Sequence, residues 1–171
     1  MRQRMIALAL VLLPLGVAAQ PACGPATPPD MEGPFYTPGA PMRTSLVEPG
    51  AKGERIVLAG RVLGSDCKPV AGALLDFWQA DEKGEYDNKG FRYRGTVKAD
   101  AEGRYRIETI FPAEYPGRPR HLHVKVQRPG GRALTTQLYF PGEPHRQNPA
   151  LVVKVERREG VRLATFDFIL K

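Results

Sequence analysis

Short runs of alternating apolar and polar residues occupy the chain from residue 55 to residue 171. Alternation with a period of two places every second side chain on one face of a β-strand. No segment shows the 3.6-residue period of a long amphipathic helix, and Gly, Pro, Asp and Asn separate the runs. The pattern predicts one all-β domain, an antiparallel β-sandwich or barrel, with these strand segments: RIVLAGRVL, ALLDFWQA, GRYRIETI, HLHVKVQR, RALTTQLYF, LVVKVERR and RLATFDFIL.

Two different segments precede this domain. Residues 1–19 combine a basic start, an apolar stretch and the small residues VAA, which is the layout of a secretory signal peptide. We therefore expect export to the periplasm or the extracellular medium without stable membrane insertion; an uncleaved anchor is the alternative. Residues 20–54 are dense in Pro and Gly and predict an extended arm, with EGPFY at 32–36 as its one aromatic cluster.

The cysteine count and the net charge limit the compartment and the class of binding partner. The exported part holds two cysteines, Cys23 and Cys67, and an oxidising compartment favours a disulfide between them over two free thiols. The formal net charge is +7, and the predicted cleavage removes Arg2 and Arg4. The other basic residues are interspersed with acidic ones and form no helical stripe, which argues against nucleic acid. A mild positive field suits small anionic substrates or an acidic polymer.

One long motif has a purely structural interpretation. A strand, the turn PVAGA, a second strand and then DAEGRYRIETI are typical of prealbumin-like sandwich modules. Many such modules bind a partner or act as spacers, so a non-catalytic binding module is an open alternative.

Two of the three histidines form the pair His121-Leu-His123 in a predicted strand. Alternate side chains of a strand share a face, so both imidazoles can reach one metal ion while Leu122 faces the core. Candidate further ligands are Tyr86 and Tyr115, because a phenolate is a hard donor that suits a ferric ion better than Cu(I) or Zn(II). A surface histidine pair, rim tyrosines, or a secreted protein that binds copper or zinc are the alternatives.

Four dispersed stretches, in order, resemble the intradiol ring-cleavage dioxygenases, which include protocatechuate 3,4-dioxygenase and catechol 1,2-dioxygenase. They are EGPFY, CKPVAGALLDFWQADEKGEY, FRYRGTVKADAEGRYRIETIFPAEYPGRPRHLHVKV and LTTQLYF, and they cover most of residues 32–140. The loop YPGR is shorter than the matching loop of well-known members, and the long N-terminal helical segment of the catechol enzymes is missing. The chain therefore resembles a compact, exported branch with an open pocket.

The resemblance implies a prealbumin-like sandwich that holds non-haem Fe(III). It implies a reaction of a small aromatic diol with dioxygen that opens the ring between the two hydroxylated carbons and gives a cis,cis-muconate-type product. A homo-oligomer is possible. The residues it implies are the metal ligands Tyr86, Tyr115, His121 and His123, with Arg118, Gln137 and Tyr115 as catalytic residues.

Overall fold

The structure is a computed structural model that describes residues 23–114, 117–143, 147–159 and 161–171. The signal peptide expected at 1–19 lies outside these residues. The described part contains one short 3-10 helix, Pro149–Leu151, and nine strands: β1 Arg55–Gly64, β2 Leu74–Trp78, β3 Arg94–Lys98, β4 Arg104–Ile110, β5 His121–Gln127, β6 Ala133–Tyr139, β7 Lys154–Arg158, β8 Val161–Thr165 and β9 Phe168–Leu170.

The strands form two sheets packed face to face, which confirms the predicted sandwich. One sheet has the order β3-β2-β5-β6 and is antiparallel throughout. The other has the order β4-β1-β8-β7, with β9 pairing the far end of β1. In this second sheet β1 pairs in parallel with both β8 and β9, so the sheet is mixed rather than purely antiparallel.

The core lies between the inner faces of the two sheets. Leu75 and Phe77 of β2 and Leu122, Val124 and Val126 of β5 alternate inward from one sheet. The second sheet contributes inward-facing residues that are also almost fully buried: Ile56, Leu58, Val62, Tyr105, Ile107, Ala164 and Phe168. Because Leu122 and Val124 face this core, the intervening side chains of β5 project from the opposite face of their sheet.

The Pro-rich arm pairs with the edge strands β6, β3 and β4. Near residue 30 it follows β6, where the Asp30 N–H donates to the Thr135 carbonyl over 3.1 Å. Farther on it passes between the edge strands β3 and β4: the Arg43 N–H donates to the Thr96 carbonyl and the Leu46 N–H to the Glu108 carbonyl. The arm thus satisfies edge-strand backbone groups that are otherwise open to pairing with another chain.

Two features of the strand pattern differ from the sequence prediction. Strand β3 is absent from the predicted segments, because Gly95 and the charged residues around it break the alternation. A methyl group at Gly95 would overlap Leu46, so glycine permits the close approach of the arm. The predicted segment RLATFDFIL is divided into β8 and β9, since the Phe166 N–H bonds Ala59 and the Asp167 carboxylate accepts from the Arg61 N–H.

A disulfide joins Cys23 to Cys67, as the cysteine count predicts. The two Cα atoms lie 5.3 Å apart, and the bond attaches the start of the arm to the turn after β1. No helix in the described ranges is long and apolar enough to cross a membrane.

Candidate metal centre

The outer face of the antiparallel sheet carries a row of polar and aromatic side chains set by strand register. His123 on β5 is directly opposite Trp78 on β2 and Gln137 on β6, and His121 is opposite Tyr139. Directly opposed residues on one face lie close enough for their side chains to touch. The imidazole of His123 accordingly stacks on the indole of Trp78, with centroids 4.7 Å apart.

Tyr86 reaches this row from the loop between β2 and β3, which is built from two Asp-centred turns. The Asp81 carboxylate accepts from the N–H groups of Lys83 and Glu85, immediately before Tyr86. After Tyr86, the Asp87 carboxylate accepts three backbone N–H groups, those of Lys89, Gly90 and Arg92. Asp side chains that accept backbone N–H groups in this way fix the conformation of a loop that has no helix or strand hydrogen bonds.

Arg94, the first residue of β3, holds the same loop through its side chain. Its side chain is 1% exposed, and its Nε and Nη2 both donate to the Asp87 carbonyl, over 3.0 and 2.7 Å. A guanidinium presents its donors in a planar fork, so one carbonyl is held by two bonds. The backbone next to Tyr86 is therefore attached to the buried end of β3.

Three side-chain atoms from these elements converge on one point. Tyr86 Oη lies 3.3 Å from His121 Nε2 and 3.1 Å from His123 Nε2, and the two Nε2 atoms are 3.0 Å apart. Two ligand atoms that each lie about 2.1 Å from one ion are separated by about 3.0 Å at a right angle and about 3.4 Å at the tetrahedral angle. The three atoms therefore have the separations of ligands that share one ion.

The histidines are arranged to offer lone pairs at this point. His121 Nδ1 donates to the Pro119 carbonyl over 2.6 Å, which leaves Nε2 of a neutral ring without a hydrogen. Burial lowers the pKa of His121, and burial followed by the charge of His121 lowers the pKa of His123 well below its ordinary value. Both rings are consequently neutral at neutral pH, the state in which imidazole binds metal.

Arg118 and Gln137 lie together at the edge of this centre. Arg118 Nη2 donates to Gln137 Oε1 over 2.7 Å, and Gln137 Nε2 donates to the Met31 carbonyl over 2.6 Å. Glu114, near Arg118 in sequence, pairs with Arg120 at 3.1 Å. Arg118 and Gln137 thus form a polar pair that joins the loop after β4 to the arm.

The aromatic cluster of the arm covers the centre from the solvent side. Phe35 stacks on Tyr86 with ring centroids 4.4 Å apart. A Cβ added at Gly33, whose φ is +70°, would lie 3.4 Å from His123 Cε1. Farther along, Tyr36 packs on Trp78 and donates to Asp76 over 2.9 Å. The arm therefore forms a wall of the centre as well as covering a sheet edge.

Tyr115 is predicted as a metal ligand and catalytic residue, and it lies outside the residues that the structure describes. The third histidine of the sequence, His145, also lies outside them. On the near side of Tyr115, the Ala113 N–H donates to the Asp81 carbonyl over 3.0 Å, which connects this loop to the one that carries Tyr86.

Comparison with known proteins matches most of the chain to one family. A family model described as Dioxygenase covers residues 31–168. Catechol 1,2-dioxygenase 2 of Acinetobacter lwoffii is 34% identical over 70% of the chain and 53% of its own length, and 6-chlorohydroxyquinol 1,2-dioxygenase of Cupriavidus pinatubonensis is 33% identical over 84% and 64%.

The chain belongs to the intradiol dioxygenase family. It spans between half and two thirds of the length of these two curated relatives. A solved relative matches at nearly full length: the dioxygenase domain of a dioxygenase–carbohydrate-binding protein fusion from Streptomyces sp. SirexAA-E. That domain is 49% identical with a TM-score of 0.83, and the match covers 86% of this chain and 99% of the domain.

The donor set of this family member fits a hard or borderline cation. In the described part of the chain, no three His, Cys, Asp or Glu side chains are grouped so that they could hold a metal ion. The donors that converge at this point are two imidazole nitrogens and one phenol oxygen. Phenolate oxygen favours a hard, highly charged cation, and its own ionisation at neutral pH needs the compensation of such a charge.

Several residues of the centre have no role that the sequence alone predicts. Trp78 and Tyr139 stand out in the sequence only as unassigned aromatics, and Gly33 and Asp30 do not stand out at all. Their roles depend on strand register and on the path of the arm, neither of which alternation determines. Asp81 and Asp87 did carry a local signal, since each is followed three residues later by Gly, and Asp near Gly is typical of side-chain-bonded turns.

Proposed function

We propose that this protein is a non-haem Fe(III) dioxygenase that cleaves catechol-type rings between the two hydroxylated carbons. The observation that carries the proposal is the convergence of Tyr86 Oη with the Nε2 atoms of His121 and His123 within 3.0–3.3 Å. Membership of the intradiol dioxygenase family supports the same reaction class.

The proposed iron ligands are Tyr86, His121, His123 and, from its motif, Tyr115. Two phenolates offset much of a ferric charge and two neutral imidazoles complete the donor set, which favours Fe(III) over the softer copper(I) and the less charged zinc. The stack on Trp78 and the bond to Pro119 hold the two imidazoles in place before metal arrives, and such outer contacts are important for metal affinity.

The substrate is proposed to be a small aromatic diol, with dioxygen as co-substrate and a cis,cis-muconate-type dicarboxylate as product. Bound iron would supply Lewis acidity that withdraws electron density from the diol, so that the ring reacts with dioxygen and both oxygen atoms enter the product. The names of the relatives include catechol and 6-chlorohydroxyquinol, which supports this class of ring.

The chain's own residues have separate tasks in this reaction. Arg118 provides fixed positive charge for the anionic diol and for the negative charge that develops on the ring, in a site partly shielded from water. Gln137 holds that guanidinium through Oε1. Tyr115, from its motif, would help to hold the metal and would accept one proton of the diol.

The decisive experiment is visible absorption and iron analysis of purified protein spanning residues 20–171. We expect one iron per chain, a broad tyrosinate-to-Fe(III) band, a shift of this band when catechol is added without oxygen, and ring-opened product when oxygen is admitted. A folded protein that stays colourless after ferric reconstitution would instead support a prealbumin-like binding module. Bound copper or zinc without turnover would support a secreted metal-binding protein.

Replacement of one phenol at a time gives a matched test. Tyr86→Phe should lose the visible band and most of the iron. Tyr93→Phe removes a phenol from the same loop, 3.5 Å from Glu82, and should retain both. Equal iron and equal turnover in the two variants would rule out Tyr86 as a ligand.

Export is proposed as part of this function. The Cys23–Cys67 disulfide supports an oxidising compartment, in which such bonds persist. Expression of the full-length gene product in its native host should place the protein outside the cytoplasm with Gln20 as its first residue, which N-terminal sequencing of each cell fraction would test.

A further inference from the structure

A carboxylate of the arm is joined to the edge of the metal centre. The Tyr139 hydroxyl at the end of β6 donates to Asp30 Oδ2 over 2.9 Å. The same hydroxyl oxygen lies 3.0 Å from Gln137 Oε1, the atom to which Arg118 donates. Asp30, Tyr139, Gln137 and Arg118 therefore form one continuous series of polar contacts from the arm to the site.

The chemistry of the groups determines the direction of each bond. A tyrosine hydroxyl has one hydrogen, and an ionised carboxylate attracts it more strongly than a neutral amide oxygen does. With that hydrogen directed to Asp30, the Tyr139 oxygen presents only lone pairs beside Gln137 Oε1, so both oxygens act as acceptors for the Arg118 guanidinium. The Gln137 amide cannot be reversed, because its Nε2 faces the Met31 carbonyl, which only accepts.

Arg118 depends on this arrangement because it has little else to hold it. None of the ion pairs among the described residues includes Arg118, whereas its neighbour Arg120 is paired with both Glu114 and Glu143. The position of the Arg118 guanidinium is therefore set by Gln137 and by the tyrosine beside it.

We propose that Asp30 is a positioning residue for Arg118, acting through Tyr139 and Gln137; the proposal rests on the function proposed for this site. The Asp30 carboxylate accepts hydrogen bonds from the Tyr139 hydroxyl and the Met31 N–H and from none of the three ligand groups, so its effect falls mainly on the orientation of Arg118. The arm holds Asp30 itself in place, since its N–H donates to the Thr135 carbonyl. The arm then positions a residue of the site in addition to pairing with edge strands.

The first variant removes the carboxylate, and two others control for structure. Asp30→Ala should lower kcat/KM for catechol by about tenfold or more, with iron content and the resting visible band unchanged. Asp30→Asn keeps an acceptor oxygen and should recover most of the loss. Thr136→Val breaks another arm contact, the 2.9 Å bond to the Pro28 carbonyl, without touching the series, and should leave kcat/KM near the wild-type value.

A double-mutant comparison tests the route. If Asp30 acts through Tyr139, the combined Asp30→Ala and Tyr139→Phe variant should lose no more activity than the worse single variant, because contacting residues are not additive. Additive losses would contradict that route.

A readout independent of turnover separates this proposal from the proposed function. In the metal-free full chain, nuclear magnetic resonance of arginine side chains, with Arg118 assigned by Arg118→Lys, should show restricted guanidinium rotation. The restriction should be lost in Asp30→Ala and kept in Thr136→Val. Unchanged Arg118 signals in Asp30→Ala, or equal effects of the two variants, would overturn the role of Asp30. Absence of ring cleavage in the wild type, with these signals as expected, would overturn only the dioxygenase function.

Discussion

The imidazole of His123 lies flat against the indole of Trp78, with the two ring planes 7° apart. Trp78 is 1% exposed, and its stacking partner carries one of the three converging donor atoms. The register of β2 and β5 thus places a rigid aromatic surface directly behind a proposed ligand, which limits rotation of the ring.

This contact gives the protein an internal optical reporter, because Trp78 is the single tryptophan of the chain. We expect titration of the metal-free protein with Fe(III) to quench its emission in proportion to occupancy, since the absorbing ion lies one ring away. Fluorescence titration beside iron analysis checks this. In the His123→Ala variant the ion should no longer bind there and quenching should be small; full quenching in that variant would contradict the assignment.

Gly33 and Gly39 provide a matched pair in the arm. Both have positive φ, +70° and +84°, so an Ala side chain costs about 1–2 kcal/mol of backbone strain at either position. Only at Gly33 does the added methyl meet His123, whereas nothing lies within 4 Å at Gly39. We expect similar shifts of thermal unfolding in metal-free Gly33→Ala and Gly39→Ala, and weaker iron retention against a chelator in Gly33→Ala alone. Equal iron retention in the two variants would show that a methyl group at position 33 does not disturb the His123 ring.

The disulfide closes a loop with a sequence separation of 44. In the chain-entropy model a loop of this length stabilises the folded state by about 4 kcal/mol. The Cys23→Ser, Cys67→Ser double variant should therefore unfold at clearly lower urea concentration than the oxidised wild type. Wild type treated with reductant should move toward the variant, and the variant itself should not respond to reductant.

Alkaline stability should depend on Tyr36. Burial, then its bond to Asp76 and the charges of Asp76 and Glu32, raise the pKa of Tyr36 to about 12 from the ordinary 10.0. Above pH 10 the unfolded chain loses this proton while the folded chain keeps it, so the unfolded state gains relative stability. The contribution is complete below pH 10 and is lost as pH rises toward 12. Urea midpoints across this range should fall more steeply for wild type than for Tyr36→Phe, and parallel curves would contradict the assignment.

Local pattern was sufficient for every strand except β3 and for the histidine pair. Alternation put Leu122 and Val124 in the core and therefore His121 and His123 together on the other face, as observed. Family motifs singled out Tyr86, Arg118 and Gln137, and the structure brings Tyr86 to the histidines and Arg118 to Gln137.

The remaining features depend on long-range placement. Trp78 meets His123 only through the register of two strands separated by about 40 residues of sequence, and Asp30 meets Tyr139 across a sequence separation of 109. A single sequence contains no signal for either distance, because the same residues in another register would face other neighbours. Strand β3 is not predicted for the same reason. Its Gly95 interrupts the alternation, and the need for glycine there comes from the arm, which packs against it.

The arm also determines when the site can be completed during folding. Its residues come early in the chain, but their partners Thr135, Gln137, Tyr139 and Ile169 are synthesised late. Contacts of such large sequence separation form slowly, because loop closure must precede them. Strand β5, which carries the histidines, and the loop that carries Tyr86 can therefore come together before the arm does. At that stage their ligand atoms are open to solvent, and a metal ion can reach them. A centre with the arm in place as one of its walls marks a chain that has finished folding.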